Sequence, residues 1–323
     1  MTLGVVPTSP LRIGVIGIGA FGSRAALRLL WSGFHHLMVY DTHEQTPRFF
    51  TGDHGGLSMG SPTMLAQQSD IIITALPSAA EMRRAFFGWE GLAKYPNKKN
   101  SVILDIGTTD PMETAAMAKE LEAAGFPLVD APAFGTPQDA KEGKLTMVVG
   151  GTDEAVERCR PILDTLAARV IRAGATGSAQ AAAAIADYVR AVRLLAASEA
   201  IRLGRQFGFE PGNLLEVCDA LGGAALPQML KDEVATRRFR TGLQLGVIHA
   251  NVALAEKMNR DAGLGLPLLP ATENLLTKAE ERLGYSMDHS ALIKWLETLA
   301  APPEEAQAAA EPPAGTETKT GSA

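Results

Sequence analysis

Cysteine is nearly absent from this 323-residue chain: Cys159 and Cys218 are the only two, far apart and without CxxC spacing. They cannot make a disulfide framework, and with no His/Cys cluster in the sequence no metal site is expected. Two reduced thiols fit a cytosolic protein. A long apolar run is also missing. Ile71–Pro77 is among the longest, strand-sized and far below the roughly 18 residues a membrane span needs. The opening MTLGVVPTSPLR lacks a charged segment followed by an apolar core, so the expected location is cytoplasmic, with no membrane partner. Positive charge is short too, 30 Lys and Arg against 36 Asp and Glu, for a formal charge of −6. The stretch 301–323 carries Glu304, Glu305, Glu311 and Glu317 against Lys319. No basic field exists for a nucleic acid, and none is expected as a partner.

What is present is ordinary globular material, 46% apolar and 20% charged, long enough for about two domains. Between Ile13 and Gly150 the short runs RIGVIG, HLMVYD, IIITALP, SVILDIG, FPLVDAP and LTMVVGG alternate with helical segments. That alternation predicts parallel strands with crossover helices. From Ser178 to Leu203 there is neither Gly nor Pro, which permits one helix of about 26 residues. LLEVCDALGG, LQLGVIHANVALAEKMNRDAG and SALIKWLETLA then show apolar spacings of three and four. The expected fold is an α/β Rossmann domain, residues 11–175, joined by a long interdomain helix to an all-α domain, residues 176–300. Residues 1–10 are expected to be a flexible N-terminus. The segment 301–323, rich in Pro, Ala, Thr and Glu, cannot offset its ordering entropy by burial and is expected to be disordered.

RIGVIGIGAFGSRAALRLL sets Gly17, Gly19 and Gly22 as GxGxxG between an apolar strand and an amphipathic helix. In that context Gly17 allows a tight turn, Gly19 lets a pyrophosphate approach the helix N-terminus, and Gly22 allows close helix–strand packing. Nineteen residues after Gly22, the second strand ends in Asp41, which can accept hydrogen bonds from ribose hydroxyls and repels a 2′-phosphate. NAD is therefore expected rather than NADP. LPS at Leu76–Ser78 and GTT at Gly107–Thr109 also follow apolar strands, where open α/β sheets bind ligands.

DAPAFGTPQDAKEGKLTMVVGG, residues 130–151, resembles the substrate-binding signature of the β-hydroxyacid dehydrogenases, the group of the 3-hydroxyisobutyrate dehydrogenases. Together with GIGAFG, VYD, LPS, DIGTTDP and the GATG loop, the resemblance runs over about residues 12–300. It implies cofactor contacts at Gly17, Ile18, Gly19, Ala20, Phe21 and Gly22, ribose contact at Asp41, and nicotinamide-side contacts at Leu76, Pro77 and Thr108. Substrate contacts fall at Phe134, Gly135 and Thr136, where the family carries Ser-Gly-Gly. A small-molecule substrate and a homodimer or higher homo-oligomer are implied as partners.

GATGSAQAAAAIADY, residues 174–188, contains no lysine. The resemblance places the family's catalytic lysine at Ala183, an Asn at Asp187 and a second lysine at Ala250. A positioned acid or base usually contributes 10²–10⁴-fold, so another residue is expected to serve. Asp187 lies one turn beyond Ala183 on the same helix face, where desolvation beside Phe134 would raise its pKa into a working range. The alternative is an ion pair with Arg190 at i+3 on a solvated face. Tyr188 and His249 are further catalytic candidates, against a core or interface role for Tyr188 and a surface or capping role for His249. The expected activity is NAD-dependent oxidoreduction of a larger, apolar or aromatic alcohol or carbonyl compound. Two alternatives stand beside it: an imine reductase-like or non-redox NAD-using enzyme, and a cofactor-binding pseudoenzyme serving assembly.

Overall fold

The computed structural model describes residues 9–220 and 236–299. Strand β1 (Ile13–Ile16) leads into α1 (Ala20–Trp31), followed by β2 (Leu37–Tyr40), α2 (Gln45–His54), β3 (Leu57–Ser58) and α3 (Pro62–Ala66). Next come β4 (Ile71–Thr74), α4 (Ala79–Phe87), β5 (Val102–Asp105), α5 (Pro111–Ala123), β6 (Leu128–Asp130), β7 (Ala133–Phe134) and α6 (Pro137–Glu142). The α/β part closes with β8 (Leu145–Gly150), α7 (Asp153–Leu166) and β9 (Ala167–Gly174). Helices α8 (Ser178–Gln206), α9 (Pro211–Ala220), α10 (Leu245–Asp261), α11 (Leu268–Leu283) and α12 (Leu292–Thr298) complete the described chain.

The sheet order is β3-β2-β1-β4-β5-β6-β8-β7, with β9 paired to β8. Strands β1 to β6 run parallel, and their side chains alternate between two apolar layers. Ile13, Val15, Ile71, Ile73 and Leu104 face one layer, with α1 and α7; Ile16, Ile72 and Ile103 face the other, with Met82, Phe86 and Met117. Burial on both faces is why these strands read as continuous apolar runs. One sequence expectation needs correcting. Strand β8 runs antiparallel to β6, and β9 then pairs parallel to β8, so the sheet is mixed rather than wholly parallel.

A third apolar cluster lies among the helices, with Leu194, Leu195, Leu245, Ile248, Val252, Leu276, Leu292 and Trp295. Its axis is α8, 29 residues long and so about 44 Å. Gly177, at φ +95°, caps this helix without a side chain of its own. The Asp130 carboxylate at the end of β6 serves instead, accepting the N–H groups of Gly177, Ala179 and Gln180 at 2.9, 3.0 and 3.1 Å. The start of the helix is thereby fixed to the sheet.

Residues 1–8 of the expected flexible N-terminus and the 301–323 tail lie outside the described residues, as do the last three residues of LLEVCDALGG. Ser9 N–H donates to Gly33 O at 3.0 Å. No helix among the described residues is long and apolar enough to cross a membrane.

Candidate active site

The chain turns from β1 to β2 on one side and reaches β4 on the other, which opens a crevice beyond the carboxyl ends of β1 and β4. The GxGxxG turn sits there. A Cβ on Gly22 would lie 2.0 Å from Gly17 O, while one on Gly19 would meet nothing within 4 Å. Gly22 therefore answers to helix–strand packing and Gly19 to open space in front of α1. Helix α1 has no side-chain N-cap and no acidic residue in its first turn, so its N–H groups are available to an anion. Asp41, just after β2, is held by Ile18 N–H at 2.8 Å and by His43 N–H at 3.0 Å. A carboxylate accepts about four hydrogen bonds, which leaves it capacity for ribose hydroxyls. Leu76 and Pro77 follow β4, where Ser78 caps α4, and Thr108 follows β5. These loops form a cradle suited to a dinucleotide. Ile18 and Gly17 are buried, Phe21 packs against the sheet core, and Gly19 and Ala20 are exposed.

A second group of the sequence-predicted residues comes together from β7, α6 and the helices. Thr136 and Asp139 form a reciprocal capping box at the start of α6. Thr136 N–H donates to Asp139 Oδ2 at 2.7 Å, so this backbone donor is already engaged. A Cβ on Gly242 would lie 2.7 Å from Thr136 Cγ2, which places the segment before α10 directly against this turn. The guanidinium of Arg190 stands 5.9 Å from the ring centroid of Phe134.

Arg190 connects that group to Asp187. Its Nη1 lies 3.0 Å from Asp187 Oδ1, but off the hydrogen-bonding direction, so this buried oxygen has an ion-pair neighbour and no hydrogen bond. Asp187 Oδ2 accepts from Asn251 Nδ2 of α10. The i+3 pair foreseen from sequence therefore exists, yet the face is not solvated: Asp187 is 3% exposed. Burial raises its pKa above the usual carboxylate range, against the opposing effects of Arg190, the Asn251 hydrogen bond and the charge of His289.

The other two catalytic candidates lie elsewhere. Tyr188, half-buried, packs against the helical core. His249 faces α11, with Nδ1 2.6 Å from Glu280 Oε2 and Nε2 3.0 Å from Thr277 Oγ1. The structure does not bring it to Asp187. His249 and Asn251 stand about 200° apart around α10, so only Asn251 meets α8. Sequence reasoning passed over Asn251, although it adjoins Ala250. It also passed over His289, which is buried beside Thr241, with Nδ1 3.0 Å from Thr241 Oγ1.

Among the described residues, no group of three or more His, Cys, Asp or Glu is placed to hold a metal ion.

Comparison with known proteins covers both parts of the chain. The family described as the NAD binding domain of 6-phosphogluconate dehydrogenase matches residues 12–174. Residues 177–296 match the family described as NAD-binding of NADP-dependent 3-hydroxyisobutyrate dehydrogenase. The chain is 26% identical to the Escherichia coli 2-hydroxy-3-oxopropionate reductase, over 90% of this chain and 98% of that protein. It is 33% identical to the mitochondrial 3-hydroxyisobutyrate dehydrogenase of Bos taurus, over 65% of this chain and 62% of that protein. The Mycobacterium tuberculosis 3-hydroxyisobutyrate dehydrogenase solved with L-serine superposes with a TM-score of 0.80 at 24% identity, over 88% of this chain and 99% of that one, a likeness of fold. With a cradle at the switch point, a long helix behind it and family matches to both halves, the chain belongs to the 3-hydroxyisobutyrate dehydrogenase group of the β-hydroxyacid dehydrogenases, NAD(P)-dependent oxidoreductases.

Proposed function

We propose that this protein is an NAD-dependent oxidoreductase acting on the CH–OH group of a larger, apolar or aromatic alcohol, or on the matching carbonyl compound. Asp187 moves the proton in place of the lysine that the family resemblance puts at Ala183. The observation that carries this reading is the burial of Asp187 with one oxygen lacking a hydrogen bond, beside the wall formed by Arg190 and Phe134.

When bound, the cofactor supplies hydride exchange at the carbinol carbon. Gly19, Ala20 and the open N-terminus of α1 receive its pyrophosphate, and Asp41 its adenosine ribose. Ionised Asp187 takes the hydroxyl proton during oxidation, and protonated Asp187 returns it during reduction. Asn251 orients the carboxyl group by its hydrogen bond to Oδ2. Phe134 supplies an apolar face where the family carries a serine hydroxyl. Thr136 N–H, engaged by Asp139, has no donor left for a small acid's carboxylate.

Following reduction of NAD⁺ with two acids that differ at one carbon tests this reading. With 3-hydroxy-2-phenylpropanoate, kcat/KM exceeds that with 3-hydroxyisobutyrate, whose methyl group occupies the phenyl position, by tenfold or more. Equal or reversed values contradict a large apolar substrate. Asp41→Asn keeps an acceptor for Ile18 N–H but removes the charge that repels a 2′-phosphate. We expect it to narrow the preference for NADH over NADPH in fluorescence titration by about tenfold, equivalent to about 1.4 kcal/mol. An unchanged ratio removes Asp41 as the discriminating residue.

A further inference from the structure

The loop 107–110 leaves the carboxyl end of β5 and is tied to the helical part of the molecule from two sides. Gln180, fully buried in the first turn of α8, donates from Nε2 to Gly107 O at 3.0 Å and accepts Thr109 N–H at Oε1, also at 3.0 Å. The same Nε2 reaches Asp105 Oδ2 at 3.3 Å. From the other side, Lys257 Nζ of α10 lies 2.9 Å from Asp110 Oδ2. Thr109 is further held by a 2.9 Å contact between its hydroxyl and that of Thr114. Thr108, between the tied residues, makes no hydrogen bond among the described residues and is half-buried. Its neighbours are fixed while its own polar groups remain available.

We propose that Gln180 is a positioning residue: it sets Thr108 against the nicotinamide end of the cofactor and fixes that loop in register with α8, seven residues before Asp187. The inference rests on the reading of Thr108 as a nicotinamide-side contact. A neutral amide suits this place, because it donates to Gly107 O and Asp105 while accepting from Thr109 N–H. The backbone of Gln180 is itself pinned, since its N–H donates to Asp130. Asp130, Gln180 and the loop thus join β6, α8 and the end of β5 into one frame. A donor or acceptor held in place before binding loses less freedom when the ligand arrives, and that advantage falls on the ligand part it touches.

The test compares NADH with ADP-ribose, which lacks the nicotinamide ring, by calorimetric titration of the full chain. In Gln180→Met we expect NADH to bind about tenfold more weakly and ADP-ribose to bind within twofold of the unsubstituted protein. Gln180→Glu, which sets a second carboxylate against Asp105, gives a larger loss for NADH alone. Lys257→Met removes the outer tie at a half-buried position and shows the same selective pattern at smaller size, so a folding failure of the Gln180 variants leaves the test intact. Equal weakening of both ligands, or no weakening of either, overturns the positioning role. If the unsubstituted protein binds NADH no tighter than ADP-ribose, the nicotinamide-side reading of Thr108 fails instead, and the proposal falls with it.

Discussion

Asp187→Asn lowers turnover of 3-hydroxy-2-phenylpropanoate by two to four orders of magnitude, while its affinity for NADH stays within about twofold. The size is that of a lost general base or acid, roughly 3–5 kcal/mol in the barrier. The substitution keeps the shape of the side chain and a polar contact for Asn251, so a purely structural carboxylate would give a far smaller kinetic effect. The pH dependence fixes the assignment. Burial raises the Asp187 pKa, and oxidation needs the ionised form, so kcat for oxidation rises with pH through that raised value. Reduction needs the protonated form, and its kcat falls over the same range. Arg190→Met removes the strongest opposing charge and moves both profiles to higher pH. Profiles that do not move, or full turnover by Asp187→Asn, assign the proton to another group.

The second large effect is on stability. Asp105 is fully buried at the end of β5, and burial pushes its carboxyl up from 3.8 to about 7, against the Thr74 and Gly107 hydrogen bonds; nearby Asp130 adds to the rise. Between these two values the native state holds a proton that the unfolded chain has released. Stability contributed at Asp105 is therefore greatest below about pH 4 and declines as pH rises to about 7. At 1.36 kcal/mol per unit, the decline is on the order of 4 kcal/mol. Asp105→Asn cannot ionise and lacks this decline. Urea unfolding at pH 5 and pH 8 should show the unsubstituted protein losing about 3 kcal/mol more than the variant, since about two units of the shift lie between pH 5 and the raised value. Asp130 and Asp187, also raised by burial, remain in both proteins, so the difference reports Asp105 together with its coupling to Asp130. Equal losses in the two proteins contradict a buried, ionising Asp105.

The sheet was legible where burial writes itself as apolar runs: β1, β2, β4, β5 and β6, with the GxGxxG turn and Asp41 at strand ends. It was not legible where pairing needs few residues or where one face is wet. Strands β3 and β7 have two residues each, and β9 interleaves Arg169 and Arg172 with its apolar residues and is largely exposed. The direction of β8 depends on how the chain passes through the short β7 and α6, which no local pattern records. At the site, the family resemblance pointed to Phe134 and Asp187. Arg190 three residues on suggests a solvated ion pair, and only tertiary packing from α10, 64 residues away at Asn251, shows the pair to be buried. His249 stood out because it adjoins Ala250, but one residue around a helix is about 100°, enough to turn it to Glu280. Gln180 sits inside GATGSAQAA without signalling anything by itself, because its partners at Asp105, Gly107 and Thr109 lie more than seventy residues earlier.

Direct transfer of hydrogen tests the account at its centre. The protein is incubated with NADH carrying deuterium at both C4 positions of the dihydronicotinamide and with 2-phenylpropanal, and the alcohol formed is examined by mass spectrometry. An NAD-dependent oxidoreductase with an apolar site yields 2-phenylpropan-1-ol bearing a single deuterium at C1, and Asp187→Asn yields it at least a hundredfold more slowly. Tight NADH binding with no labelled alcohol, from either this aldehyde or its 2-carboxylate analogue, would contradict the account and leave a protein that holds the cofactor without turning it over.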